Sequence, residues 1–67
     1  MTVRQNIIDR RKELGIKQRE VSEKVGISRG SYSAIERGLR LPSLEVAQRI
    51  CLVLEMSVNE AFPIEGE

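Results

Sequence analysis

The chain has 67 residues, with eleven Lys/Arg against ten Asp/Glu for a net charge of +1, one cysteine and no histidine. That length makes a single domain near the lower limit for a core that stands without staples. A lone cysteine excludes an internal disulfide framework and fits a reducing compartment, and without histidine there is no zinc-site pattern. The low net charge hides an asymmetry: residues 1–40 carry ten Lys/Arg against five acids, leaving +5, while residues 41–67 carry Arg49 against five glutamates, leaving −4. Two readings are open, a basic half that meets a polyanion or a chance excess on solvated faces. The longest apolar run, Ile50 to Leu54, is far too short to cross a bilayer, and no signal-peptide core is visible, so a cytoplasmic chain without a membrane partner is expected.

In chain order the pattern predicts five short helices and no strand, an all-α fold. Thr2-Val3-Arg4-Gln5 has capping-box spacing, which predicts a first helix from Val3 to Leu14 with Val3, Ile7 and Leu14 inward, ended by Gly15. Arg11 lies on that apolar stripe. It is either a rim residue with an extended stem or a partly buried charge needing a carboxylate. Arg10-Arg11-Lys12 reads as a solvated or phosphate-facing edge rather than a targeting signal. The second helix is expected over Gln18–Val25, with Val21 and Val25 inward and Ser22 as a small neighbour.

Gly26 then suits a left-handed turn, Ser28 a helix cap, and Gly38 the end of the third helix. With Arg29 as the origin, Tyr32, Ile35 and Glu36 fall between about 240° and 340°, an inward face. Arg29, Gly30, Ser33, Ala34 and Arg37 fall between about 0° and 140°, leaving an outward surface of arginines, a hydroxyl and nearly bare positions. Pro42 closes a loop, Ser43 caps the fourth helix, and Leu44, Ala47, Ile50, Cys51 and Leu54 repeat at helical spacing, with Cys51 read as core. Ser57-Val58-Asn59-Glu60 is a second capping box for a last short helix, followed by a tail over residues 63–67.

A helix, a glycine turn and a second helix with a polar outer face make a helix-turn-helix. Arg11-x-x-x-Gly15-Ile16-x-Gln18-x-x-Val21-Ser22-x-x-x-Gly26-Ile27-Ser28, with Tyr32-x-x-Ile35-Glu36-x-Gly38 and Pro42-Ser43-Leu44, resembles the Cro/phage-repressor (XRE-type) family of DNA-binding domains. The resemblance covers residues 4–62. It implies a five-helix bundle of the lambda-repressor-like type that binds operator DNA, usually as a homodimer, with the Ser28–Arg37 helix in the major groove. It matches Gln18 to a phosphate-contacting glutamine, and Arg11 with Glu36 to an internal salt bridge of some members. Two positions depart from the pattern: Lys17 stands where a Ser or Thr cap is common, and Ser22 where alanine is usual.

On chemistry, Arg29 can present a two-pronged donor to guanine, Ser31 and Ser33 can bond bases or phosphates, Gly30 permits close approach, and Ala34 suits a thymine methyl. Lys17, Gln18, Arg37 and Arg40 are placed for phosphates. The expected organisation is a helix-turn-helix core over 18–38 and a dimerisation half over 41–62 using Leu41, Val46, Val53, Met56, Val58 and Phe62. The expected partners are double-stranded DNA and a second copy, in a nucleoid-associated regulator with no cofactor, metal or small-molecule ligand. Gly26-Ile27-Ser28-Arg29-Gly30 also fits the hydrolase nucleophile elbow, but that motif needs a preceding strand and a histidine base. A non-enzyme is expected. A repressor is the simplest form of regulator, and Glu20 and Glu23 leave an activator open. The alternative class is a protein-interaction module, an antitoxin-like or bridging factor, which should carry an apolar patch on the outer face of the third helix.

Overall fold

The computed structural model describes residues 3–63 and contains, among them, five helices and no strand: α1 (Gln5–Glu13), α2 (Gln18–Val25), α3 (Arg29–Glu36), α4 (Leu44–Leu54) and α5 (Val58–Ala61). Helix α2 lies against α3 and α4, while α1 crosses behind, touching α3, α4 and α5. Their shared core is Ile7, Val21, Val25, Tyr32, Ile35, Ile50, Cys51, Leu54 and Ala61. Every helix contributes to it, so no helix is stable apart from the others.

The N-termini of α3, α4 and α5 are capped by serines: Ser28 Oγ accepts from Ser31 N–H, Ser43 Oγ from Val46 N–H and Ser57 Oγ from Glu60 N–H. At Ser57 the Glu60 side chain also accepts from the backbone N–H of Ser57, closing the capping box. The C-termini are satisfied from a distance. Arg10 Nε donates to Leu54 O (2.9 Å) at the end of α4, Asn6 Nδ2 to Glu60 O (2.6 Å) at the end of α5, and Arg49 to Val25 O (3.3 Å) at the end of α2. The last carbonyls of a helix lack internal partners and carry the negative end of its dipole, so a donor there, above all a cation, is favoured.

Several positions differ from the sequence pattern. Helix α1 begins at Gln5, after an Arg4 cap position that has no side-chain cap, and Val3 is about half exposed. The expected Thr2 cap lies outside the described residues, as does the tail beyond Pro63. Leu44, the first residue of α4, is 69% exposed instead of core. Val46 and Val53, off the apolar repeat, are half-buried and packed against the core. Arg10 and Arg11 are not a solvated edge: Arg10 serves α4, and Arg11 is held beneath α3, leaving Lys12 exposed. Helix α4 ends on Glu55 in the left-handed region (φ 57°), a place where glycine is usual. Cys51 is buried in the core, and burial first, then Glu60, pushes its thiol pKa up, so it remains a thiol.

Tyr32 is fully buried, and among the described residues its hydroxyl has no hydrogen-bond partner. Burial, and after it the nearby Glu36 carboxylate, raises the phenol far above its ordinary value of 10.0. The folded state therefore retains a proton that the unfolded chain releases, so the contribution is intact below about pH 10 and is lost as pH rises beyond it. Because Tyr32 is the only tyrosine and tryptophan is absent, tyrosinate absorbance reports this group alone. On alkaline titration it should appear together with loss of helical ellipticity, in one transition. Ionisation near pH 10 with the helices intact would contradict the sealed environment.

Candidate nucleic-acid interface

The chain from Gln18 to Gly38 is positioned by two local turns. Gly26, at φ 90°, ends α2 with its N–H on Ser22 O (2.8 Å), and two residues later Ser28 starts α3. A side chain at Gly26 would be strained by that φ. At the far end, Gly38 (φ 75°) closes α3 in a Schellman arrangement: Leu39 N–H donates to Ala34 O (2.9 Å) and Gly38 N–H to Ile35 O (3.1 Å). Ser28 Oγ also donates to Ser31 Oγ, so this serine is engaged in capping.

Tyr32, Ile35 and Glu36 face inward and are buried. Beneath α3, Arg11 Nε donates to Glu36 Oε2 at 2.7 Å and its terminal nitrogen to Glu36 Oε1 at 3.4 Å, a two-point ion pair. Gln18 Nε2 donates to the same Oε1 (2.8 Å), and Arg11 also holds Ile16 O (3.0 Å). The side chains of Arg11 and Glu36 are only 12% and 2% exposed. The Glu36 bond is the main reason the Arg11 pKa is raised, so the guanidinium stays charged at any accessible pH. This knot joins α1, α2 and α3, and it resolves the choice for Arg11 in favour of a partly buried charge with a carboxylate.

On the outer face, Arg29, Gly30 and Arg37 are exposed, and Ser33 and Ala34 are partly exposed. A methyl group built on Gly30 would meet nothing within 4 Å. The missing side chain therefore has no reason inside the chain, and it leaves bare backbone beside Arg29. Ser31 sits apart from this face, half-buried, accepting from Arg40 (3.2 Å) and from Ser28. Lys17 occupies the cap position of α2 without capping it, and its side chain is exposed. With Gln18, Arg19 and Arg29 it lines an open cationic notch between the starts of α2 and α3. Arg19 is an addition to the sequence-derived set. Its position next to Gln18 was the available signal, and its 3.8 Å contact with Glu23 is a loose, exposed pair.

The apolar residues assigned to the second half separate into two groups. Val46, Val53, Met56 and Phe62 are half-buried against the core, whereas Leu41 and Val58 are exposed. Leu39, Leu44 and Leu52 are exposed as well, Leu52 at 79%, and periodicity did not single them out as surface.

A cationic, partly bare α3 carried on α2 by a glycine turn is the arrangement that sequence comparison also finds. The helix-turn-helix family profile matches residues 7–60. The chain belongs to the helix-turn-helix family. It is 37% identical over 57 residues to YgzD, an HTH-type transcriptional regulator of Bacillus subtilis, spanning 85% of this chain and 86% of that one. It is 32% identical over 60 residues to the cryptic phage CTXphi transcriptional repressor RstR of Vibrio cholerae, spanning 90% of this chain and 54% of RstR. The N-terminal DNA-binding domain of SinR from Bacillus subtilis superposes with a TM-score of 0.78 at 34% identity, covering 94% of this chain and 93% of that domain. The relatives are named as transcriptional regulators, RstR among them as a repressor, and the SinR domain as DNA-binding. No helix among the described residues is long and apolar enough to cross a membrane.

The buried knot makes a stability prediction. Glu36→Ala strands Arg11 in a poorly hydrated place, which costs about 3–5 kcal/mol. A domain of this size holds only about 0.05–0.15 kcal/mol per residue. The variant should therefore lose most of its helical signal at physiological temperature, and Glu36→Gln should fall between it and the parent. Thermal melts followed by circular dichroism decide this, and a Glu36→Ala midpoint within a degree or two of the parent would contradict it.

Proposed function

We propose that this chain is a sequence-specific double-stranded-DNA-binding repressor, cytoplasmic and nucleoid-associated, that acts as a homodimer on a pseudo-palindromic operator. The observation that carries the reading is the outer face of α3, where Arg29 and Arg37 flank an exposed Gly30 whose bareness no internal contact requires. A major groove admits a helix whose side chains reach base edges, and small positions let the backbone approach. In this reading Arg29 reads guanine, and Gly30, Ser33 and Ala34 form the contact floor. Ser31 contributes more through its neighbours Ser28 and Arg40 than by direct contact. Lys17, Gln18, Arg37 and Arg40 bind phosphates and set register. Gln18 suits this because it stands partly exposed at the start of α2, beside Lys17, Arg19 and Arg29. RstR is named a repressor, which supports repression over activation. A protein-binding module would place large apolar side chains on this face, and the exposed ones among the described residues, Val3, Leu39, Leu41, Leu44, Leu52 and Val58, lie outside α3 itself.

Competition binding against a panel of single-base changes, in a duplex selected from a random pool, tests the readout. Arg29→Ala should cost about 1–3 kcal/mol per half-site and relax preference at one base pair in each. Arg37→Ala should weaken all duplexes alike and reduce the salt slope by about one. Gly30→Ala should stabilise the free domain by up to about 1 kcal/mol, since alanine suits a helix and has room, yet weaken binding. If Arg29→Ala keeps the full base preference, Arg29 is a phosphate clamp and the assignment is wrong.

The homodimer reading assigns Leu41, Val46, Val53, Met56, Val58 and Phe62 to the contact between copies. Support comes from the exposure of Leu41 and Val58 beside half-buried Met56 and Phe62. Two copies of α3 about one DNA turn (~34 Å) apart would match a two-fold site. Sedimentation should show dimers at tens of micromolar or on DNA, and Leu41→Glu should abolish them. A monomer under both conditions counts against the assignment.

A further inference from the structure

Arg4 lies outside the helix-turn-helix, yet it is fastened to the end of α3. Its backbone N–H donates to Glu36 O (2.7 Å). Its guanidinium donates to Ile35 O (2.6 Å), one of the last-turn carbonyls of α3, and to Arg40 O (3.3 Å) in the loop that follows. The same guanidinium sits over the ring of Phe62, 5.2 Å from its centroid, at the C-terminal end of α5. A planar cation on an aromatic face, with its Nη1 shared between two carbonyls, is held in orientation as well as in place.

The loop from Arg37 to Arg40 is therefore secured from two directions. Arg4 holds the Arg40 carbonyl from inside the fold, and the Arg40 side chain reaches Ser31 Oγ (3.2 Å) on the first turn of α3. The loop would otherwise be a free connection carrying exposed cations, and ordering it on a ligand would draw on the binding energy. Nη1 of Arg4 is turned onto these carbonyls, and the guanidinium lies over the Phe62 ring.

We infer that Arg4, seated on Phe62, is a positioning residue for duplex binding that acts through Arg40 by holding the loop after α3 in its binding geometry. This rests on the DNA-binding reading above. It extends that reading to a residue whose charge counts toward the basic half but whose work is internal.

The experiment is a double-mutant cycle with Arg4→Ala and Arg40→Ala in the full chain, using a duplex that the wild-type chain selects from a random-sequence pool. Affinity and its salt dependence are measured at a temperature where circular dichroism shows equal helicity. Arg4→Ala should weaken binding about 5–10-fold and make the salt slope shallower by about one, as Arg40→Ala does. In the Arg40→Ala background the same change should cost less than about twofold, because there is no longer a phosphate contact to position. Equal losses in both backgrounds, or no loss in either, overturn the inference, as does an Arg40→Ala variant that binds like the parent. Should Arg4→Ala melt below the assay temperature, Arg4→Lys carries the same cycle, since it keeps the charge but loses the planar group that bridges the Ile35 and Arg40 carbonyls over the ring. If the wild-type chain selects no duplex at all, the DNA-binding reading itself fails. If it does, and Arg40→Ala weakens it while Arg4→Ala does not, only the role of Arg4 is lost.

Discussion

The buried pair between Arg11 and Glu36 is the constraint on which the arrangement of the first three helices depends. Glu36 sits in the last turn of α3, where the helix dipole already disfavours a negative charge, and it is almost wholly removed from water. It is tolerated because Arg11 from α1 and Gln18 from α2 give each carboxylate oxygen a donor. An apolar contact at this junction could be equally stable, but it would accept small rotations of α3 about its axis. The two-point pair does not. It ties the rotational setting of α3, and so the direction in which Arg29 and Arg37 project, to the positions of two other helices.

Around that knot the charged residues are used as helix terminators. Arg4, Arg10 and Arg49 each donate to the final carbonyls of a helix other than their own, and Asn6 does the same for α5. In a domain with so small a core, these long-range caps join elements that have little apolar surface to share. They also change the meaning of the charge asymmetry. Part of the basic surplus in residues 1–40 is consumed by the fold. What faces outward near α3 is a smaller set, Lys17, Arg19, Arg29, Arg37 and Arg40, gathered at the two ends of that helix.

The segment Gly26-Ile27-Ser28-Arg29-Gly30 illustrates why a motif needs its setting. In a hydrolase elbow the serine would be lifted to attack. Here its hydroxyl accepts from Ser31 N–H and donates to Ser31 Oγ, a cap that starts a helix. The same spacing of glycines serves a left-handed turn at Gly26 and an unoccupied surface at Gly30. Backbone conformation, rather than composition, separates the two meanings.

What the sequence by itself determined is the local part of the molecule. Helices α2, α3, α4 and α5 were legible within a residue because their signals, the serine caps, the glycine turns and the apolar repeats of α2 and α3, act over one or two turns. The outward face of α3 followed from the same periodicity. The start of α1 was not legible, because Arg4 takes its partners more than thirty residues away at Ile35, Glu36 and Arg40. Leu44 shows the same limit: its place in the repeat predicted core, but only the packing of the helices decides whether anything covers it, and it is left exposed. The fates of the arginines were likewise set in three dimensions. Arg11 had two readings in sequence, and the identity of its neighbour across the bundle chose between them. Arg10, Arg49 and Arg4 carry nothing in their local context that distinguishes a helix cap from a surface charge. Periodicity fixes which way a side chain points, but the free energy of a charge depends on the carbonyl or carboxylate it meets, and only the tertiary structure supplies that partner.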